Sequence, residues 1–238
     1  MGFVRDDRWA DPSLTVLLVV QMLTLFVAVP LGAHHPESRL LLDLCHLAFA
    51  AICVGVLTRH RGVQIALLAG LLLLAAGPFV SNMVAVPLGV SPQAIHEVIA
   101  VNAFVFNSIV TALIARRVFG AGRVSIHHIQ GGVLLYLNVA ALFAIVYNLL
   151  ETHHIGAITT STGAILHEVG AARTATLTYF SLTTITTTGF GDLQPVHPIA
   201  RSLSNLESVF GQLFPATLLA RLVGLHLVHG SQEGIQKD

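Results

Sequence analysis

Charge is what this chain has least of. Only 10% of its 238 residues are Asp, Glu, Lys or Arg, the two signs balance at 12 and 12, and Lys237 is the single lysine. A soluble domain carries about 25% charged residues. With 54% hydrophobic residues and a mean hydropathy of +0.78, the chain reads instead as an integral membrane protein. Zero formal net charge offers no footprint for nucleic acid. Cysteine is equally scarce: Cys45 and Cys53 lie in one apolar segment, roughly 12 Å apart along a helix, which excludes a disulfide between them. They read as small buried side chains. The chain has no Gly-x-Ser-x-Gly elbow and no His-Glu-x-x-His motif, so nothing marks it as an enzyme. It also lacks the paired internal repeats typical of transporters.

What the chain does have is length of apolar run. Six stretches, 14–33, 40–57, 63–80, 95–115, 129–150 and 199–228, are of the length that crosses a bilayer, for which about 20 residues suffice. The first is too long, and its leader too acidic, for a signal peptide. Six spans put both termini on one side, and the arginines choose the side. With termini inside, the inner segments hold Arg5, Arg8, Arg59, Arg61, Arg116, Arg117, Arg123 and Lys237, against Arg39, Arg173 and Arg201 outside. That bias predicts cytoplasmic termini in the cell membrane. The expected fold class is an all-α membrane protein, with a four-helix domain over 1–118 and a second domain over 119–238. No soluble ligand-binding domain is expected.

Between the last two spans lies Thr187-Thr188-Gly189-Phe190-Gly191-Asp192. Glycine at alternate positions permits backbone conformations that a Cβ resists. Successive carbonyl oxygens can then face one axis, and a row of them can replace the hydration shell of K⁺. The preceding segment, 171–186, is moderately apolar and rich in threonine. It suits a short re-entrant helix whose C-terminal dipole end favours a cation. Irregular backbone at membrane depth needs protein or water around it. One loop cannot enclose an ion, so several copies must assemble, by closed symmetry.

These residues resemble the pore of the tetrameric potassium-channel superfamily, and most closely bacterial six-span members of the ion-channel pore family. The likeness covers about 171–228 and includes Tyr179-Phe180 before the loop, Pro195 after it, Arg201, and Gly211-Gln212-Leu213. It implies a homotetramer in the lipid bilayer that passes K⁺ with no other cofactor. It implies K⁺ coordination by the carbonyls of Thr187, Thr188, Gly189 and Phe190 and the Thr187 hydroxyl, with Asp192 anchoring the outer mouth. Tyr179 and Phe180, with Thr183, would support the filter, and Gly211 would be an inner-helix hinge. By position, Glu207 reads as a filter support that hydrogen-bonds the pore helix or filter backbone, rather than as an ion contact, and Gln212 as facing the cavity; Pro215 makes with Gly211 either a gating hinge or a static bend. Two positions depart from the family pattern: Thr188 stands where valine is common, and Thr183 where some relatives place a buried glutamate. Thr188 keeps open a non-selective or sodium-permeable channel.

The first four spans match a voltage-sensor domain in number only. Stretch 95–115 holds no arginine or lysine, whereas a sensor needs several gating charges there; Arg116 and Arg117 read as anchors at the inner leaflet. Asp43 with His46, and His96 with Glu97, read as helix-pairing groups or, in a remoter alternative, as parts of a proton-coupled transporter. His34, His35, His153, His154, His167 and His197 all fall on the expected outer side. Histidine changes charge between about pH 5 and 8, so acid there would oppose cation entry unless these are simply solvated loop residues. Their spacing offers no convincing Zn²⁺ ligand set.

Overall fold

The computed structural model describes residues 10–34, 39–53, 55, 61–73, 92–119 and 126–235. Helix α1 (Ala10–Leu23) continues through a π-helical turn (Thr24–Ala28) into α2 (Val29–His34). Then follow α3 (Arg39–Ile52), α4 (Arg61–Leu73), α5 (Pro92–Val118) and α6 (Ile126–His153). The last part comprises β1 (Ile158–Thr160), α7 (Ala171–Ile185), β2 (Leu193–Pro195) and α8 (Pro198–Ile235). Prolines open α5 and α8, where the missing N–H costs nothing and φ is already helical.

Three helices among the described residues are long and apolar enough to cross a membrane: Ser13–Ala33, Glu97–Val118 and Ile129–His153. They coincide with the first, fourth and fifth expected spans. The second and third expected spans are partly described, as α3 and α4, and their ends lie outside the described residues. The 38-residue α8 has the length. Ser202, Ser204, Asn205, Glu207, Ser208 and Gln212 dilute the apolarity of its first half. The candidate site occupies that polar half.

Side-chain contacts fix how the helices run. Leu14 of α1 and Val118 of α5 both meet Gly131 of α6, and Leu218 of α8 meets Gly132. The start of α1, the end of α5, the start of α6 and the Leu218 region of α8 therefore share one end. So α6 is parallel to α1 and antiparallel to α5 and α8. Leu17, Phe49, Cys53, Leu67, Phe106, Val110, Ile114, Leu134 and Phe214 form the core of this bundle. Cys45 and Cys53 are both buried and free. A second core, at the other end, joins Tyr147, Ala157, Ile158, Leu177, Phe180 and Ala200. It ties α6, the β1 segment, α7 and the start of α8 into one body, and it holds the site.

Arg221 closes the first end. Its Nη1 donates to the Val118 carbonyl at 2.9 Å and its Nη2 to the Phe119 carbonyl at 3.1 Å, with the guanidinium 5.2 Å from the Phe119 ring centre. A cation at the C-terminus of α5 satisfies orphan carbonyls and complements the helix dipole. Arg221→Ala is expected to cost about 1–2 kcal/mol. Arg221→Lys should restore little of it, because a point charge cannot fork to two carbonyls. Thermal melting of the detergent-purified protein checks both; equal melting of all three proteins would refute the clamp.

Candidate functional site

Helix α7 is a hydroxyl-rich sequence made compatible with an apolar setting by back-bonding. Thr178 donates to the Thr174 carbonyl at 2.7 Å, Thr184 to the Phe180 carbonyl at 2.8 Å and Thr186 to the Leu182 carbonyl at 2.7 Å. Each hydroxyl is satisfied within the helix. One face, Leu177, Phe180, Ser181 and Ile185, is buried. Past Ile185 the chain turns sharply. The N–H groups of Thr188 and Gly189 both reach the Thr183 carbonyl, at 2.9 and 3.1 Å, and the Thr187 N–H reaches that of Thr184 at 2.9 Å.

From there φ alternates. Thr187, Gly189 and Gly191 have φ of 56°, 52° and 80°, while Thr188 and Phe190 between them are not in the positive-φ region. Thr187 is the one non-glycine residue with positive φ among the described residues. A β-branched residue there is a true outlier, and strain of this kind concentrates at functional sites. A change of hand at every second residue is the backbone condition for turning successive carbonyls the same way. Residues 186–192 are all exposed in the single chain.

Both ends of this loop are held. At one end Asp192 accepts from the Tyr179 hydroxyl at 2.9 Å through Oδ2 and from the Ser161 N–H at 2.8 Å through its carbonyl. The Phe190 ring lies parallel to that of Tyr179, with centroids 6.3 Å apart and planes 2° off. Thr183 does not reach Asp192; its hydroxyl donates to the Phe180 carbonyl at 3.0 Å. The side-chain partner of Asp192 is therefore Tyr179. At the other end the Gln212 amide donates to the Thr187 hydroxyl oxygen at 2.8 Å.

The segment after α6 holds the chain that leaves the loop. Strand β1 pairs antiparallel with β2, Ile158 opposite Pro195 and Thr160 opposite Leu193. The Ala157 carbonyl accepts from the N–H groups of Val196 and His197, at 2.9 and 3.2 Å. Buried Glu151 accepts from the Gly156 and Ile158 N–H groups at 2.6 and 3.1 Å. Neither the strand pair nor Glu151 was visible in the sequence reading. Gly156 and Gly163, both with φ of 80°, flank the β-branched run Ile158-Thr159-Thr160 and were the available signal.

Behind α7 lies a buried polar cluster. Glu207 is fully enclosed; Tyr147 donates to its Oε2 at 2.7 Å, and Ser181 is hydrogen-bonded to its Oε1. Ser181 also contacts the Ala140 carbonyl at 2.7 Å, and Tyr147 lies 3.3 Å from the Ser204 hydroxyl. Phe180 packs edge-on against Tyr147, centroids 5.0 Å apart. One carboxyl thus links α6, α7 and α8.

Gly211 is buried where α8 crosses the end of α7; a Cβ there would overlap the Ile185 carbonyl. That carbonyl accepts from the Tyr136 hydroxyl at 2.7 Å. Helix α8 runs unbroken through Gly211 and Pro215. Of the histidines expected on the outer side, the His154 and His197 rings stack with centroids 4.5 Å apart, and His153 and His167 are exposed. The His34 and His96 side chains, the Asp43 side chain and all of His35 lie outside the described residues. Among the described residues no three or more His, Cys, Asp or Glu side chains gather as a metal-ion site.

Residues 134–225 match the model of a family described as ion channel. This is less than half of the chain, and it runs from within α6 into α8, the elements that build the site. A comparison with curated proteins found no match. The chain is thus a mostly helical membrane protein that has, among the described residues, three helices long and apolar enough to cross a bilayer, and its residues 134–225 are similar to an ion-channel family.

Proposed function

We propose that four copies of this chain form a potassium-selective channel, with the Thr187–Asp192 loops as the filter around the shared axis. The observation that carries the reading is the φ alternation at Thr187, Gly189 and Gly191, in an exposed loop held at both ends. The carbonyls of Thr187, Thr188, Gly189 and Phe190 and the Thr187 hydroxyl would then replace the water around K⁺. The ion flows passively and no covalent step is involved. Exposed Leu206, Val209 and Leu213 share a face of α8, an apolar stripe suited to a neighbouring inner helix. Residues 119–238 would form the pore domain and 1–118 a brace around it, in six spans with both termini cytoplasmic.

Reconstituted protein in a K⁺/Na⁺ gradient should give single-channel currents that reverse near the K⁺ equilibrium potential. Reversal near zero would leave a non-selective channel, and absence of discrete currents would end the channel reading. Arg116 and Arg117 stand only in the last turn of α5, too few charges at too shallow a depth for steep gating. Open probability should therefore change weakly with voltage in the same recordings.

A further inference from the structure

The geometry points to Gln212 as a positioning residue that sets the cation preference of the innermost filter site by fixing the Thr187 hydroxyl; this rests on the filter reading above. A hydroxyl has one hydrogen and two lone pairs. The Thr187 hydroxyl donates its hydrogen to the Thr186 carbonyl at 2.7 Å and accepts from the Gln212 Nε2 at 2.8 Å. With the hydrogen committed and one lone pair taken, the rotor is locked and the second lone pair remains for a cation. A free hydroxyl would turn its hydrogen toward whatever acceptor or water lay nearby. Gln212 removes that freedom.

The reach of Gln212 is built into the helix crossing. Its neighbour Gly211 lets the α8 backbone lie directly against the Ile185 carbonyl. One turn earlier Ser208 contacts the Thr184 carbonyl at 3.4 Å. Ser208 and Gln212 stand four residues apart and so share a face, which aims two polar side chains at the end of α7 and the start of the loop. Thr187 is also the strained residue with positive φ. An external hold on its side chain therefore acts where the backbone is least able to keep its own geometry. The ligand class is a dehydrated monovalent cation of K⁺ size. The site distinguishes it from smaller Na⁺ by how rigidly the hydroxyl oxygens are kept apart.

The test is bilayer recording of the full chain with a double-mutant cycle. Gln212→Leu keeps the shape and removes the donor; it should raise relative Na⁺ permeability about fivefold, the equivalent of one net hydrogen bond. In a Thr187→Ala background the same change should add nothing, because the hydroxyl it positions is gone; an additive effect would show Gln212 acting elsewhere. Gln212→Glu, which keeps the length without an obligate donor, should fall near Gln212→Leu. A K⁺-selective wild type with unchanged Gln212→Leu selectivity overturns the proposal and leaves the filter reading intact. An unselective wild type overturns the filter reading itself. Should a variant carry no current, calorimetric titration of the detergent-purified protein with K⁺ and Na⁺ makes the same comparison. A wild-type K⁺ to Na⁺ preference in that variant then counts against Gln212.

Discussion

Gly211→Ala is expected to eliminate current and to lower the melting temperature of the purified protein more than any other single methyl addition. Two effects oppose each other. Alanine is the better helix former by about 1 kcal/mol, and α8 is helical on both sides of this position. Against that, the new Cβ would occupy the position of the Ile185 carbonyl. Overpacking against movable side chains costs about 1–3 kcal/mol. A backbone carbonyl cannot change rotamer, and this one is bonded to Tyr136. Relief requires α8 to move off α7, which separates Gln212 from Thr187 and Ser208 from Thr184. Gly132→Ala is the internal control. The atoms nearest its Cβ would be those of the Leu218 side chain, which can turn aside, so a smaller loss with current retained is expected. If Gly211→Ala conducts and melts like wild type, the close crossing is not how the inner helix seats the loop.

Glu207 should tolerate glutamine and reject leucine. Ser181 has one hydrogen but two oxygen neighbours, the Ala140 carbonyl and the Glu207 carboxyl. All contacts in the cluster are satisfied when a hydrogen from residue 207 lies toward Ser181, Ser181 donates to Ala140, and Tyr147 donates to residue 207. A glutamine amide supplies the same donor and acceptor. Leucine supplies neither, and each buried hydroxyl left short costs about 1–3 kcal/mol. The loss is moderated because Tyr147 keeps Ser204 within 3.3 Å and Ser181 keeps Ala140. Glu207→Gln is expected to conduct and melt close to wild type, while Glu207→Leu loses stability and most of its current. Loss of function in both would mean that an ionised carboxylate is required there, contrary to this proton count.

Much of the molecule was legible before any coordinates because the signals are local. Apolar runs long enough for a bilayer identified three helices that the structure reproduces within a few residues. The helix at 171–186, the turn after it and the alternate glycines were equally readable, since each depends on residues within one turn of each other. The sixth expected span was less secure in kind: α8 is a long helix whose first half is polar. Of its polar residues, Ser204, Glu207, Ser208 and Gln212 are the ones that reach α6, α7 and the loop. Gln212 was read as facing a cavity, and its bond to Thr187 could not have been counted from spacing.

The amino-acid order alone determined the membrane solvent, the helical class and a loop able to alternate its backbone hand. These follow from composition, run length and the φ freedom of glycine, all properties of short stretches. Only the tertiary structure decided what holds that loop. Tyr147 meets Glu207 from 60 residues away and Gln212 meets Thr187 from 25 away. Strand β1 finds β2 across the whole of α7. Such meetings depend on how closely and at what level helices cross. Here a missing side chain at Gly211 sets that distance, and no periodicity in the sequence records it.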